Sequence, residues 1–506
     1  MSGERKAAGA TGGRTLSEDV LKRVRDPGLF VQDAYIDGRW VEAEDGRRRT
    51  VIDAATDRPL GSVPSLGARE TERAIDAAER AFPAWRALTA WARGDILNRW
   101  GDLMGTHKAD LAAIMVLEQG KPLAEAEGEI DYARSFLHWF AEEGKRQYGE
   151  VIPTHLSGAR LQAARQPIGV AAAITPWNFP SAMITRKAGA ALAAGCPMIV
   201  RPAEETPFSA TALAKLAEEA GVPAGVFQVV TGDPEPIAAA LMDAKAVRAL
   251  SFTGSTRVGK RLAEQAARTV KKVSLELGGH APFLVFDDAD LDRAVDGAVK
   301  AKMATTGQDC LAVNRILVQR PLYEAFCETF AAAIAAMKVG PGFEPGVALG
   351  PLMNAAAVEK CVAHVQDALA KGGRLLTGGG RHPAGALFFE PTAIAGLTPD
   401  MAIWREETFG PVAPIAPFED EAEAVRLAND SDYGLAAYLY TEGLNRAHRV
   451  SEALDYGMVA VNTPKMTGPP VPFGGVKESG LGREGARHGL DDYTEIKYVC
   501  FGGAAA

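Results

Sequence analysis

The sequence predicts an α/β protein: a Rossmann-like, mostly parallel, doubly wound sheet, followed by a second α/β domain. Three observations carry this expectation. Between residues 169 and 277 a short apolar run, a turn and an amphipathic stretch ending near glycine keep recurring; the runs are GVAAAIT (169–175), PMIV (197–200), GVFQVV (225–230), VRALSFT (247–253) and KVSLEL (272–277). Strands alternating with helices of this length mark βαβ units and hence a parallel sheet. From about residue 280 the alternation resumes, with Ala-rich helices such as YEAFCETFAAAIAAM. Finally, the least ordinary residues follow the runs directly, at the carboxyl ends of strands where such sheets collect ligands.

Taken in order, the opening MSGERKAAGATGGRT is basic and Gly/Ala-rich and lacks the apolar core of a signal peptide, so residues 1–18 are expected to be a disordered tail. TPWNFP follows the first run, RPAEETP the second, TGDPEP the third and FTGS ends the fourth, while Glu276 lies in the fifth. Thr206 and Pro207 read as N-cap and first residue of a helix that Gly221 terminates. The Gly/Pro-rich stretch NTPKMTGPPVPFGGVKESGLGREG near the end is too long for a simple linker, and loops of that length in a compact domain are usually functional.

Composition narrows the function. A chain of 506 residues holds about three domain-sized units or two large ones and buries a sizeable core without metal or disulfide staples. Its net charge of −9 argues against nucleic acid and anionic membranes, leaving a small molecule as the expected partner. The five cysteines are widely spaced with no C-x-x-C, which suggests neither a disulfide framework nor a zinc site and fits a reducing cytoplasm. No apolar stretch approaches the ~18 residues that span a bilayer.

Four features bear on chemistry. GSTRVGKR (254–261) approaches a phosphate-binding P-loop, but Arg261 stands where a magnesium-ligating hydroxyl belongs; Gly254 and Ser255 read better as a tight turn offering amide N–H groups to a dinucleotide pyrophosphate. Cys310 is either a small buried hydrophobe or a nucleophile, and its polar neighbours Gln308, Asp309, Asn314 and Arg315 place it in a loop or at a helix start, where a thiol pKa is lowered. Cys196, Cys327 and Cys361 lie in apolar or helical runs and read as core, and His280 as structural. Glu276, in an apolar strand before two glycines, is either a desolvated general base or the partner of a nearby cation.

Together TPWNFP, FTGS, LELGG, GQDC, EETFGP and PFGGVKESGLGREG resemble the aldehyde dehydrogenase superfamily over nearly the whole chain. AMITRKAGAALAAGCP, SFTGSTRVGK and KVSLELGGHAPF look most like its succinate-semialdehyde dehydrogenase branch. The resemblance implies an NAD-binding domain (19–144 and 168–277), a catalytic domain (278–480) and a small β oligomerisation arm (145–167 and 485–502), hence a homodimer or homotetramer. It implies that Cys310 attacks the aldehyde to give a thiohemiacetal, that the Asn178 amide and the Cys310 N–H hold the oxyanion, and that hydride passes to the nicotinamide. Glu276 then activates the water that hydrolyses the thioester, which argues against a CoA-acylating relative.

The same resemblance assigns the cofactor residues. Thr175, Trp177, Gly254, Ser255 and Leu277 would contact the dinucleotide, Glu407 the nicotinamide ribose with Phe409 beside it, and Arg201 and Glu204 the adenosine ribose. Glu204 favours NAD, while Arg201, where the family usually has lysine, keeps NADP open. For the substrate, Arg186 would grip a distal carboxylate, with Lys465 and Phe473 from the late loop nearby. The branch's second arginine, six residues before the nucleophile, is Ala304 here, which removes a contact of ~1.5–3 kcal/mol. Ala312 stands where that branch often has a second cysteine. The expected activity is oxidation of a small aldehyde, plausibly a semialdehyde with a distal anion; the alternatives are an uncharged or larger aldehyde, or a cofactor-independent thiol esterase.

Overall fold

The computed structural model describes residues 16–503. All five expected strands form, as Val170–Ile174, Met198–Arg201, Phe227–Val229, Val247–Thr253 and Lys272–Glu276. They pair in parallel, and two short N-terminal strands and Gly480–Leu481 extend the sheet to eight strands. Every residue of Val170–Ile174 and Met198–Arg201 is buried, as parallel strands covered by helices on both faces require. The helix Pro207–Glu219 starts at Pro207, and Gly221 just beyond its end adopts φ +90°, a left-handed turn that favours glycine.

Register places the site. Ile174 sits opposite Arg201 and Phe252, and Thr253 opposite Glu276. The residues after these positions therefore emerge along one edge of the sheet, which is why segments distant in sequence share a cleft.

The second half forms a seven-stranded sheet in which six strands, including Ala281–Val285 and Val313–Gln319, run parallel and Arg374–Thr377 closes one edge antiparallel. A separate three-stranded antiparallel sheet joins Glu150–Ile152, Ala159–Pro167 and Thr494–Gly502. Between the last helix-borne loop and that final strand, the short helix His488–Tyr493 packs on Ala182–Ala194.

Two expectations change. Of the tail expected over 1–18, residues 1–15 lie outside the described ones, but Glu18–Arg23 is a helix whose N-cap Ser17 accepts from the Val20 N–H. The boundary therefore falls earlier. Cys310, in turn, does not begin a helix: it lies in a turn between the short helix Ala304–Gly307 and the strand Val313–Gln319.

Candidate active site

The turn that carries Cys310 is held in an unfavourable backbone conformation. Thr305, Thr306 and Gly307 have φ of 50°, 59° and 71°, and a β-branched residue in this left-handed region is a genuine outlier. Neighbours hold it there. The Thr305 N–H donates to Glu125 Oε2 at 3.0 Å, the Thr306 hydroxyl to the Gly350 carbonyl at 3.2 Å, and Gly307 packs so closely on the Gly410 carbonyl that a Cβ would lie 2.3 Å from its oxygen. From the other side Gly279 leaves no room for a Cβ against the Cys310 carbonyl, which gives the second glycine of LELGG a steric reason.

The expected lowering of the thiol pKa does not survive this geometry. With no helix N-terminus behind it, burial pushes the Cys310 thiol well above its usual value; Asp309, Glu407 and Glu276 add to the rise and only Arg186 opposes it. The thiol is therefore protonated at neutral pH and must lose its proton to act.

Asn178 emerges from the sheet edge beside it. One N–H of its side-chain amide donates to the Gln308 carbonyl at 2.9 Å, which aligns the amide with the cysteine turn and leaves the second N–H available. The Cys310 backbone N–H likewise donates to no other group among the described residues. Two donors beside one sulfur are what an oxyanion hole requires.

Glu276 is almost completely buried, and neither carboxylate oxygen has a protein hydrogen-bond partner among the described residues. Its Oε1 lies against Gly474, where a Cβ would come within 2.9 Å. Burial raises its pKa well above the carboxylate range, the nearby Glu484 raises it further, and Arg186, Lys187 and Arg483 pull it down. The structure thus resolves the two sequence readings toward a desolvated, unpaired carboxylate. Its nearest cations are engaged elsewhere: Arg186 Nε donates to Glu484 Oε2 at 2.5 Å, and Lys187 binds Glu484, Ser251 and Thr253.

At the nucleotide end of the edge, Ser255 caps the helix Thr256–Ala267 without a side-chain hydrogen bond, so its first N–H groups have no side-chain partner from the cap. Trp177 and Phe409 meet edge-to-face with centroids 5.6 Å apart. Glu407 accepts from the Gly279 N–H at 3.0 Å, and burial raises its pKa to about 7. Glu204 lies 3.1 Å from Arg49 and 3.6 Å from Arg201, whose Nη2 also donates to the Gly232 carbonyl. Thr175 is buried behind these residues, with its hydroxyl unpartnered. An unspent helix N-terminus and a carboxylate among guanidiniums fit a dinucleotide.

A model of the aldehyde dehydrogenase family matches residues 40–499. The chain is 54% identical to the glutarate-semialdehyde dehydrogenase of Pseudomonas aeruginosa over 95% of its length and all of that protein. It is 55% identical to the succinate-semialdehyde dehydrogenase [NADP(+)] GabD of Escherichia coli, over 95% of its length and all of the relative. A crystal structure of succinate-semialdehyde dehydrogenase from Burkholderia pseudomallei superposes with a TM-score of 0.94 at 56% identity, covering 95% of this chain and 99% of that one.

The chain belongs to the aldehyde dehydrogenase family. As a member it is an NAD(P)-dependent oxidoreductase that converts an aldehyde to its acid, and a cavity of about 550 Å³ joins the parts just described. Cys310, Asn178, Trp177, Gly254, Ser255, Leu277, Glu407 and Phe409 line it, as do Arg186, Phe473 and Ala304. Glu276 is not on the wall, although its neighbours Leu277 and Gly278 are. Phe473 lies over the Arg186 guanidinium at 4.0 Å.

Lys465 is one of the expected site residues that do not line this cavity, with Glu276, Thr175, Arg201 and Glu204. It is exposed and off the cavity wall, because its N–H donates to the Thr463 hydroxyl in a tight turn that directs the residue to solvent; Thr467 lines the cavity instead. Reading the sequence alone misses Lys121, Glu125, Glu129 and Tyr132, which also line the cavity. The available signal was Glu129 in EQGKPLAEAEGEI: it occupies the apolar stripe of the helix Leu123–Glu143 with Ala126, Ile130 and Ala133, and is nearly as buried as they are.

Proposed function

We propose that this enzyme oxidises a small semialdehyde with a distal anionic group, of the succinate-semialdehyde class, to the corresponding acid through a thioester at Cys310. The observation that carries this reading is one cavity that holds Cys310, Asn178 and the buried Arg186 guanidinium together. The names of the relatives agree, since both act on semialdehydes with a carboxylate at the far end.

In this reading the Cys310 thiol gives its proton to water in the cavity, and Sγ bonds to the carbonyl carbon as the C=O π bond breaks toward oxygen. The free Asn178 N–H and the Cys310 N–H receive the oxyanion, so that charge develops where donors already point. NAD(P), when bound, supplies the acceptor for the hydride that leaves that carbon. Glu276 then takes a proton from the water that attacks the thioester, the C–S bond breaks, and the sulfur is restored. A carboxylate with a raised pKa and no hydrogen bonds to break is suited to that proton.

Ser255 and the Thr256–Ala267 helix N-terminus would hold the pyrophosphate, Glu407 the nicotinamide ribose, and Glu204 the adenosine ribose. Arg49 and Arg201 beside Glu204 offer cations to a 2′-phosphate, so either nucleotide is accommodated. The arm sheet would join copies into a homodimer or homotetramer: its edge strand Thr494–Gly502 exposes Ile496, Tyr498 and Phe501, a surface that monomers seldom leave open. No helix among the described residues is long and apolar enough to cross a membrane, and a cytoplasmic location accords with five free cysteines.

The test is NADH and NADPH formation across succinate semialdehyde, glutarate semialdehyde and uncharged aldehydes of equal length. The semialdehydes should give the higher kcat/KM, and Cys310→Ala should abolish turnover, by on the order of 10⁴-fold or more. Equal kcat/KM for charged and uncharged aldehydes would sink the substrate assignment.

A further inference from the structure

Beside Cys310 lies a set of buried charges for which the reaction has no step. Glu125 and Glu129, four residues apart in the first two turns of the helix Leu123–Glu143, share one face, and Lys121 lies in the segment that leads into that helix. Lys121 and Glu129 side chains are each about 1% exposed and their charged groups meet at 2.6 Å. The ammonium also donates to the backbone carbonyl of Asn178 at 2.8 Å. The second Glu129 oxygen accepts the N–H groups of Ser181 and Ala182 at 3.0 and 3.2 Å, at the start of the helix that carries Arg186. One turn earlier, Glu125 accepts the Thr305 N–H and braces the left-handed turn ahead of Cys310.

Stability explains this arrangement poorly. Two charges taken out of water lose hydration that their attraction repays only with good geometry, and apolar residues of similar volume in such places are often neutral or stabilising. What the three residues do achieve is a common anchor: the segment with the oxyanion donor and the segment with the nucleophile, joined to different sheets, are tied to the helix Leu123–Glu143 and the turn that leads into it.

We propose that Lys121 and Glu129, with Glu125, are positioning residues that set the Asn178 amide against Cys310. The proposal rests on the reading of Asn178 as an oxyanion donor. Lys121 touches no reacting atom; it acts through the Asn178 backbone, and its loss lets the amide wander from where the oxyanion forms. A displacement of that kind lowers kcat while substrate binding is retained.

The test is a double-variant cycle in the full enzyme with succinate semialdehyde. Lys121→Met should lower kcat about 10- to 100-fold with KM within about threefold, and Asn178→Ala about 10²- to 10³-fold. The combined variant should be no slower than Asn178→Ala by more than about threefold, because the first change acts only through the second. The thermal midpoint should fall in Lys121→Met, which leaves the buried Glu129 carboxylate without its cation, while NADH affinity, read by fluorescence, should stay close to the parent for each single variant. Losses that multiply in the combined variant, or an unchanged kcat in Lys121→Met, would overturn the proposal alone. Full activity of Asn178→Ala would overturn the reading of Asn178, and the proposal with it. If Lys121→Met does not fold, Glu129→Gln, which keeps the shape and removes the charge, runs the same cycle with the same criteria.

Discussion

The two flanks of Cys310 are equally buried and are built on opposite rules. On the Asn178 side, the Lys121 ammonium and both Glu129 oxygens have partners, and Asn178 is held at its carbonyl and its amide. On the other side, Glu276 has no hydrogen bond on either oxygen among the described residues. The difference matches what each flank has to do. Donors that stabilise a developing charge work best when they need no reorganisation. A base that must meet a water needs the opposite, and the bonds it lacks are bonds it need not break.

The largest expected effect breaks the anchored flank. Asn178→Ala should lower kcat by about 10²- to 10³-fold and remove any fast first turnover in rapid mixing, since the oxyanion forms before hydride leaves. A retained fast phase would place Asn178 outside the chemistry. A smaller effect concerns the cavity wall between the flanks. Ala304→Arg adds a second cation, and should lower KM for succinate semialdehyde about 10- to 100-fold and leave an uncharged aldehyde unaffected. An equal change for both substrates would mean that the wall at 304 does not meet the distal group.

Glu407 is the intermediate case, a half-buried carboxylate with a single partner. Its pKa, raised to about 7, gives a sign. In the proposed role at the nicotinamide ribose, the ionised carboxylate would accept hydroxyl hydrogen bonds above that pH, whereas below it one oxygen would carry a proton and accept less well. NADH affinity, read by fluorescence, should therefore strengthen a few-fold from pH 6 to pH 8, and that slope should vanish in Glu407→Gln. A slope that persists in the variant would assign the titration to another group.

How much of this was legible in the sequence follows from how far apart the interacting residues are. The five strands and the helix start at Pro207 were readable because their signals, periodicity and a proline at the first helical position, are local, although Thr206 makes no side-chain cap bond. The shared edge was readable because parallel strands align their carboxyl ends. Around Cys310 the polar stretch left a loop or a helix start open; the structure takes the loop, behind a strained left-handed turn at Thr305 and Thr306 that neither residue type announces. The exposed position of Lys465 was not legible because charge alone does not say which way a loop residue faces. Lys121 and Glu129 went unseen because their backbone partners lie some fifty residues away, and the Glu484 carboxylate that pairs with Arg186 was not foreseen because it is 298 residues further on.

The contrast between the flanks is tested most directly in Glu276→Gln, by rapid mixing with succinate semialdehyde and saturating NAD(P). If Glu276 serves only the water step, the variant should release a fast burst of about one reduced nucleotide per subunit, then turn over about 10²- to 10⁴-fold more slowly than the parent. A first turnover slowed as much as the steady state, with no burst, would show that Glu276 is needed before the thioester forms and would contradict the account.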